Sequence, residues 1–135
     1  MTKSDPYKLG EKFEVSEPTK AIKTTQLSLD YIRAEGYSAT VVEKWNKFGR
    51  QGHGVRQDLF GCIDIIAMGR GGTIAIQCCT TQVAAHVTKV SENKHLPNML
   101  AAGWRVVIHS WQRKQGIIKL KVIDITEPAP LKLTG

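Results

Sequence analysis

The sequence predicts an α/β domain with a mixed central sheet of about five strands flanked by helices. Three observations lead there. Five segments are rich in β-branched and apolar residues: SATVVEKW, CIDIIAMG, TIAIQCCT, WRVVIHSW and GIIKLKVIDI. Two of these are joined by the short turn GRGG, which marks an antiparallel hairpin at the centre of the domain. Helical patterns before the first strand and after the third complete the order helix, three strands, helix, two strands. A length of 135 residues suits one domain with a single modest core.

Residues 1–20 mix charge, glycine and proline without periodicity, and read as an arm leading into a domain over 21–128. Thr24-Thr25-Gln26 offers a capping hydroxyl, and Leu27, Tyr31 and Ala34 follow at helical spacing until Gly36. In SATVVEKW, alternation puts Ala39, Val41, Glu43 and Trp45 on one strand face, with Glu43 an acid among apolar neighbours. Residues 46–57, NKFGRQGHGVRQ, form a glycine-rich basic loop before the hairpin. Val83–Val90 reads as a helix that Pro97 interrupts, with Met99–Ala102 adding a turn. The last two strands follow, and EPAPLKLTG leads into a tail over 129–135.

Hydrophobic content of 41% and charged content of 23% are ordinary for a globular chain. No apolar run approaches the roughly 18–20 residues of a membrane-spanning helix. The polar N-terminus lacks an apolar signal region, and a cytoplasmic location without membrane contact is the expectation. Three cysteines, Cys62, Cys78 and Cys79, make an odd count with an adjacent pair. That argues against a disulfide framework and for a reducing compartment. Neighbours on a strand point to opposite faces, so Cys78 and Cys79 are awkward ligands for one metal. Nineteen Lys and Arg against twelve Asp and Glu give a net charge of +7, which points towards a polyanionic partner.

The hairpin carries the chemistry. Asp64 stands within the apolar run Ile63-Asp64-Ile65-Ile66, and Gln77 follows Ile74-Ala75-Ile76 on the next strand. An ionised carboxylate buried without a partner costs several kcal/mol or is neutralised, unless a cation or donor offsets it. A carboxylate and an adjacent amide oxygen can give Mg²⁺ two of its oxygen ligands. Alternation puts Gln77 and Cys79 on one side and Cys78 on the other. Cys79 has no identifiable histidine partner, which argues against a thiol hydrolase.

The stretch DLFGCIDIIAMGRGGTIAIQCC resembles the PD-(D/E)xK hairpin of restriction-endonuclease-like nucleases, and is most similar to archaeal-type Holliday junction resolvases and small phage-encoded endonucleases. The resemblance covers roughly residues 24–125. It implies a restriction-endonuclease-like core and a Mg²⁺- or Mn²⁺-dependent DNA endonuclease, structure-selective and homodimeric, encoded by a phage or mobile element. The implied reaction is in-line attack of activated water on a phosphodiester. Asp64 matches the motif aspartate and would be the principal metal ligand. Gln77 stands where the family carries Glu or Asp, and Cys79 where it carries lysine. Gln26 or Asp30 lie near the place of a helix glutamate in the resolvase branch.

Other residues can restore what those departures remove. Glu43 is either a further metal ligand or a glutamate paired with a core cation. Lys89, on the helix after the hairpin, can supply the missing ammonium or be simply solvated. Asp58 is either a second acid at the site or a cap at the strand entrance. Lys47, Arg50, His53 and Arg56 in the glycine-rich loop are candidate phosphate contacts, as are His86 and Lys94 further on. His109 and Trp111 fit either rim or core. The alternative is a nuclease-fold DNA-binding protein that has lost catalysis, with an RNA-binding domain a third possibility.

Overall fold

The computed structural model describes residues 14–16, 23–46 and 55–126; residues 14–16, 44–46, 55 and 56 are described by backbone only. Lys47, Arg50 and His53 therefore lie outside the described residues, and so does the side chain of Arg56.

The elements are β1 (Glu14–Ser16), α1 (Thr24–Ala34), β2 (Ser38–Val41), β3 (Lys44–Asn46), β4 (Val55–Gln57), β5 (Ile65–Gly69), β6 (Gly72–Cys79), α2 (Val83–Ser91), α3 (Leu96–Ala101), β7 (Arg105–Lys114) and β8 (Ile117–Asp124). Six strands form one mixed sheet in the order β1-β8-β7-β6-β5-β2. Only β6 and β7 run parallel, and α2 and α3 make the crossover that a parallel pair requires. The five strands expected from sequence are the sheet's interior and one edge; β1 is added at the other edge.

The central hairpin forms because Gly69 pairs with Gly72 around a two-residue turn. Gly72 has φ 102°, a conformation that glycine adopts without steric cost. Gly69 lies flat against a ring: a Cβ there would meet Tyr37 Cδ2 at 2.5 Å.

Alternation divides the sheet into two packed faces. Ile65, Ala67, Ile74, Ile76, Cys78, Val107 and Trp111 pack under α1 with Leu29, Tyr31 and Ile32. Ala75, Cys79, Val106 and Ile108 share the opposite core with Cys62, Ile63, Val90, Leu96 and Met99. His109 and Trp111 are core residues, both fully buried. Ser28 on α1 bonds to both: its Oγ lies 2.8 Å from His109 Nδ1 and accepts from Trp111 Nε1 at 2.7 Å.

Three expectations are corrected. SATVVEKW is not one strand: β2 stops at Val41, and Lys44–Asn46 pairs with Val55–Gln57 in a separate two-stranded sheet. Its alternation therefore does not define one inner face, and Val41 is exposed. The arm contains β1, antiparallel to β8, with Glu14 in register with Lys119. Helix α1 starts after Lys23 with no side-chain cap, so Thr24 is its first helical residue and not the cap. Its buried positions are Ser28, Leu29, Tyr31 and Ile32; Leu27 flanks them and Ala34 is exposed, because Ser28 is drawn inward by its two ring partners.

Ser28→Ala should destabilise the fold by about 1–3 kcal/mol, since the buried Trp111 Nε1–H loses its acceptor. Urea unfolding should show a lower midpoint at unchanged slope. An unchanged midpoint would show that the Ser28 hydroxyl contributes nothing net.

Candidate functional site

Asp64 occupies the last position before β5, and its backbone joins three segments. Its N–H donates to Ile76 C=O at 2.8 Å, and its C=O accepts from Val42 N–H at 2.8 Å. The second bond brings the residue after Val42, Glu43, to the mouth of the hairpin. A tight loop brings Asp58 back to the same place. Leu59 bridges Ile63, Gly61 N–H donates to Asp58 C=O at 2.9 Å, and Phe60 and Gly61 take φ 54° and 80°. Six residues of sequence separation thus close into proximity.

The result is a trio of acids. Glu43, Asp58 and Asp64 each place a carboxylate oxygen within 4.8 Å of the others; Asp64 is buried and the other two are half-buried. Two donors converge on one oxygen of Asp64. Cys78 N–H reaches Oδ2 at 2.8 Å and Gln77 Nε2 reaches it at 2.6 Å. Gln77 therefore turns its nitrogen, not its oxygen, towards Asp64. Its Oε1 is buried and finds no hydrogen-bond partner among the described residues.

Burial is the main force on the Asp64 carboxyl, which is pushed up to about 7. The Cys78 N–H opposes this, Asp58 adds to it, Gln77 opposes it, and Glu43 adds to it. Lys89 on α2 places Nζ 3.6 Å from Asp58 Oδ2 and is half-exposed. His86 lies one turn earlier on α2; burial lowers its pKa, Lys89 lowers it further, and Asp58 opposes both. Its Nδ1 is buried without a partner among the described residues. Burial pushes the Cys62 thiol up to about 11, with Lys89 opposing and Asp58 and Asp64 adding. The Cys79 thiol is also raised, chiefly by burial, against a hydrogen bond with Ser110.

The structure thus brings together Asp64, Gln77, Glu43 and Lys89 among the residues singled out in the sequence, and sets His86 nearby. Asp58 belongs with them as a second acid. Lys94 is exposed in the turn after α2. Gln26 and Asp30 bond to each other on the exposed side of α1, which packs on the opposite sheet face. The trio is rich in hard oxygen donors, which suit Mg²⁺ or Mn²⁺. Three carboxylates this close cannot all stay ionised in a buried setting without a cation or a proton.

That constraint has a sign. The folded value for Asp64 lies above the ordinary 3.8, so between about pH 4 and 7 the folded chain keeps a proton the unfolded chain has released. This contribution to stability is complete below about pH 4 and is lost as pH rises through about 7. In chelator, the wild type should lose stability between about pH 4 and 7 relative to Asp64→Asn, at up to about 1.4 kcal/mol per pH unit, and level off above that. Asparagine keeps an oxygen for the Gln77 and Cys78 donors, so the variant isolates the charge. Parallel stability curves for the two proteins would contradict this. Comparison of the chain with protein-family models, with curated proteins and with solved structures finds no match.

Proposed function

We propose that this chain is a metal-dependent endonuclease of the restriction-endonuclease-like class, acting on DNA and structure-selective in the manner of a junction resolvase. The observation that carries the reading is the carboxylate trio, gathered at the mouth of a strand hairpin from the segment after β2 and the tight loop that leads into β5. Gln77 supports it: a buried amide oxygen without a partner beside three acids is suited to orient a water or an ion. The net charge of +7 supports a phosphodiester substrate.

Asp64, Glu43 and Asp58 would hold a Mg²⁺ or Mn²⁺ ion. Bound there, it would supply Lewis-acid polarisation of a phosphoryl oxygen and lower the pKa of a water. Gln77 Nε2 and the Cys78 N–H fix the rotamer of Asp64, so one carboxylate oxygen faces a set direction. Lys89 steadies Asp58 and carries positive charge to the rim, where it can meet the charge developing on phosphate. In this arrangement the ammonium comes from α2 rather than from β6, whose Cys79 is a thiol. A homodimer with two such sites accords with cutting two strands.

A second reading is a DNA-binding domain of the same fold without catalysis. Lys89 engaged with Asp58 and Cys79 at the lysine position favour it.

A panel of branched and linear DNAs with Mg²⁺ and Mn²⁺, run beside Asp64→Ala and Lys89→Met, separates the two. The nuclease reading expects nicking that needs the metal, falls to background in Asp64→Ala and is weakened in Lys89→Met. Cleavage by Asp64→Ala equal to that of the wild type would remove Asp64 from the chemistry. Binding without cleavage on every substrate would establish the second reading instead.

A further inference from the structure

Strand β7 outruns its parallel neighbour. The last β6–β7 pair is Cys79 with Ser110, whereas β7 continues to Lys114 paired with β8. The β7–β8 hairpin therefore extends past β6 as an arm. Its turn, Gln115-Gly116, takes φ 53° and 78°, which suits a two-residue hairpin connection.

Register fixes which face each side chain of this arm shares. Trp111, Ile118, Leu120 and Val122 join the core under α1. Ser110, Gln112, Lys114, Lys119 and Lys121 fall on the other face, the one that carries Gln77 and Cys79. The described helices on that face pack over Val106 and Ile108, nearer the start of β7. Beyond them Lys114 and Lys121 are exposed, and Gln112 and Lys119 are half-buried.

The charge on this arm is of one sign. From His109 to Ile123 the sequence has no carboxylate, and it carries Arg113, Lys114, Lys119 and Lys121. Two acidic residues are set against it by the fold. Asp124 is held by Arg105 at 2.8 Å, and Glu14 stands in register with Lys119. Neither is in register with Lys114 or Lys121. Strand spacing and rise place Lys121 roughly 12 Å from Gln77 and Lys114 roughly 20 Å away. Over about 20 Å of helix axis a duplex presents about six phosphates on each strand.

We infer that this outer face of the β7–β8 hairpin is the track on which the phosphate backbone of DNA lies, leading from the carboxylate trio towards the hairpin turn. A polyanion is the occupant that complements a hairpin face whose own charged residues, Lys114, Lys119 and Lys121, are all lysines. Lysines and a glutamine aligned along strands read no bases; they position a backbone. The inference names a binding surface for the proposed nuclease and rests on that reading for the choice of DNA, but binding tests it without cleavage.

The test is anisotropy of a labelled DNA duplex of about two helical turns, titrated with the full chain in chelator at KCl between about 50 and 200 mM. The Lys114→Gln/Lys121→Gln pair should reduce the slope of log affinity against log salt by about 1.8, since each phosphate contact contributes about 0.9. The Arg/Arg pair should restore it. Lys23→Gln, exposed at the start of α1 on the opposite side of the sheet, should leave the slope unchanged. The track is overturned if the Gln pair keeps the wild-type slope, if Lys23→Gln loses as much, if only an RNA duplex responds, or if the unaltered chain shows no salt-dependent binding. A chain that binds as expected but cleaves nothing sinks catalysis and leaves the track. One that cleaves while the Gln pair keeps its slope sinks the track alone.

Discussion

The carboxylate of Asp64 is buried where three chain segments meet, and the surrounding architecture is arranged to tolerate it. Its backbone joins Ile76 on β6 to Val42 beyond β2. Its side chain takes the N–H of Cys78 and the amide of Gln77. Two donors on one oxygen favour the ionised form, while burial and two further acids oppose it, and the opposition prevails. A fold optimised for stability alone would place an apolar residue here, as it does at Ile63, Ile65 and Ile76 on either side. A cation on the trio would turn that cost into a binding energy.

Both faces of the sheet bury polar groups. Under α1, Ser28, His109 and Trp111 are sealed from water and answer one another, and burial holds His109 neutral across the physiological range. That network is a core feature. On the other face, Gln77 Oε1 and His86 Nδ1 are buried without partners among the described residues and stand beside the acids. An acidic centre beside an arm of lysines is the charge pattern that receives a polyanion and concentrates a cation at one point along it. Among the described strands β2 forms one edge of the sheet, and there the Arg33 guanidinium donates to Ala39 C=O at 2.8 Å.

Much of this was legible in the residues. The five expected strands, four interior and one at the β2 edge, announced themselves through β-branched runs, and the hairpin through its glycines. Asp64 and Gln77 were identifiable because polar residues interrupt apolar strands, and the structure sets them side by side. The role of the Gln77 amide was not legible: which end faces Asp64 depends on geometry, not on residue type. Glu43 does reach Asp64, but through the bond from Val42 to Asp64 and not through a strand face. Asp58 was hard to assign because its approach depends on positive φ at Phe60, a residue that rarely adopts it. Strands β3 and β4 are three residues each, too short for alternation to show. The basic arm escaped notice because its lysines gain meaning only from the register between β7 and β8.

The trio is proposed as a cation site, and metal-linked stability tests that most directly. Thermal unfolding at pH 8 would be followed across a Mn²⁺ titration of the wild type, Asp64→Asn and Asp58→Asn. The wild type should gain stability saturably, by about 2.7 kcal/mol at a hundredfold excess over the dissociation constant. Both variants should gain markedly less. A wild type indifferent to Mn²⁺, or variants stabilised as strongly as the wild type, would contradict the assignment.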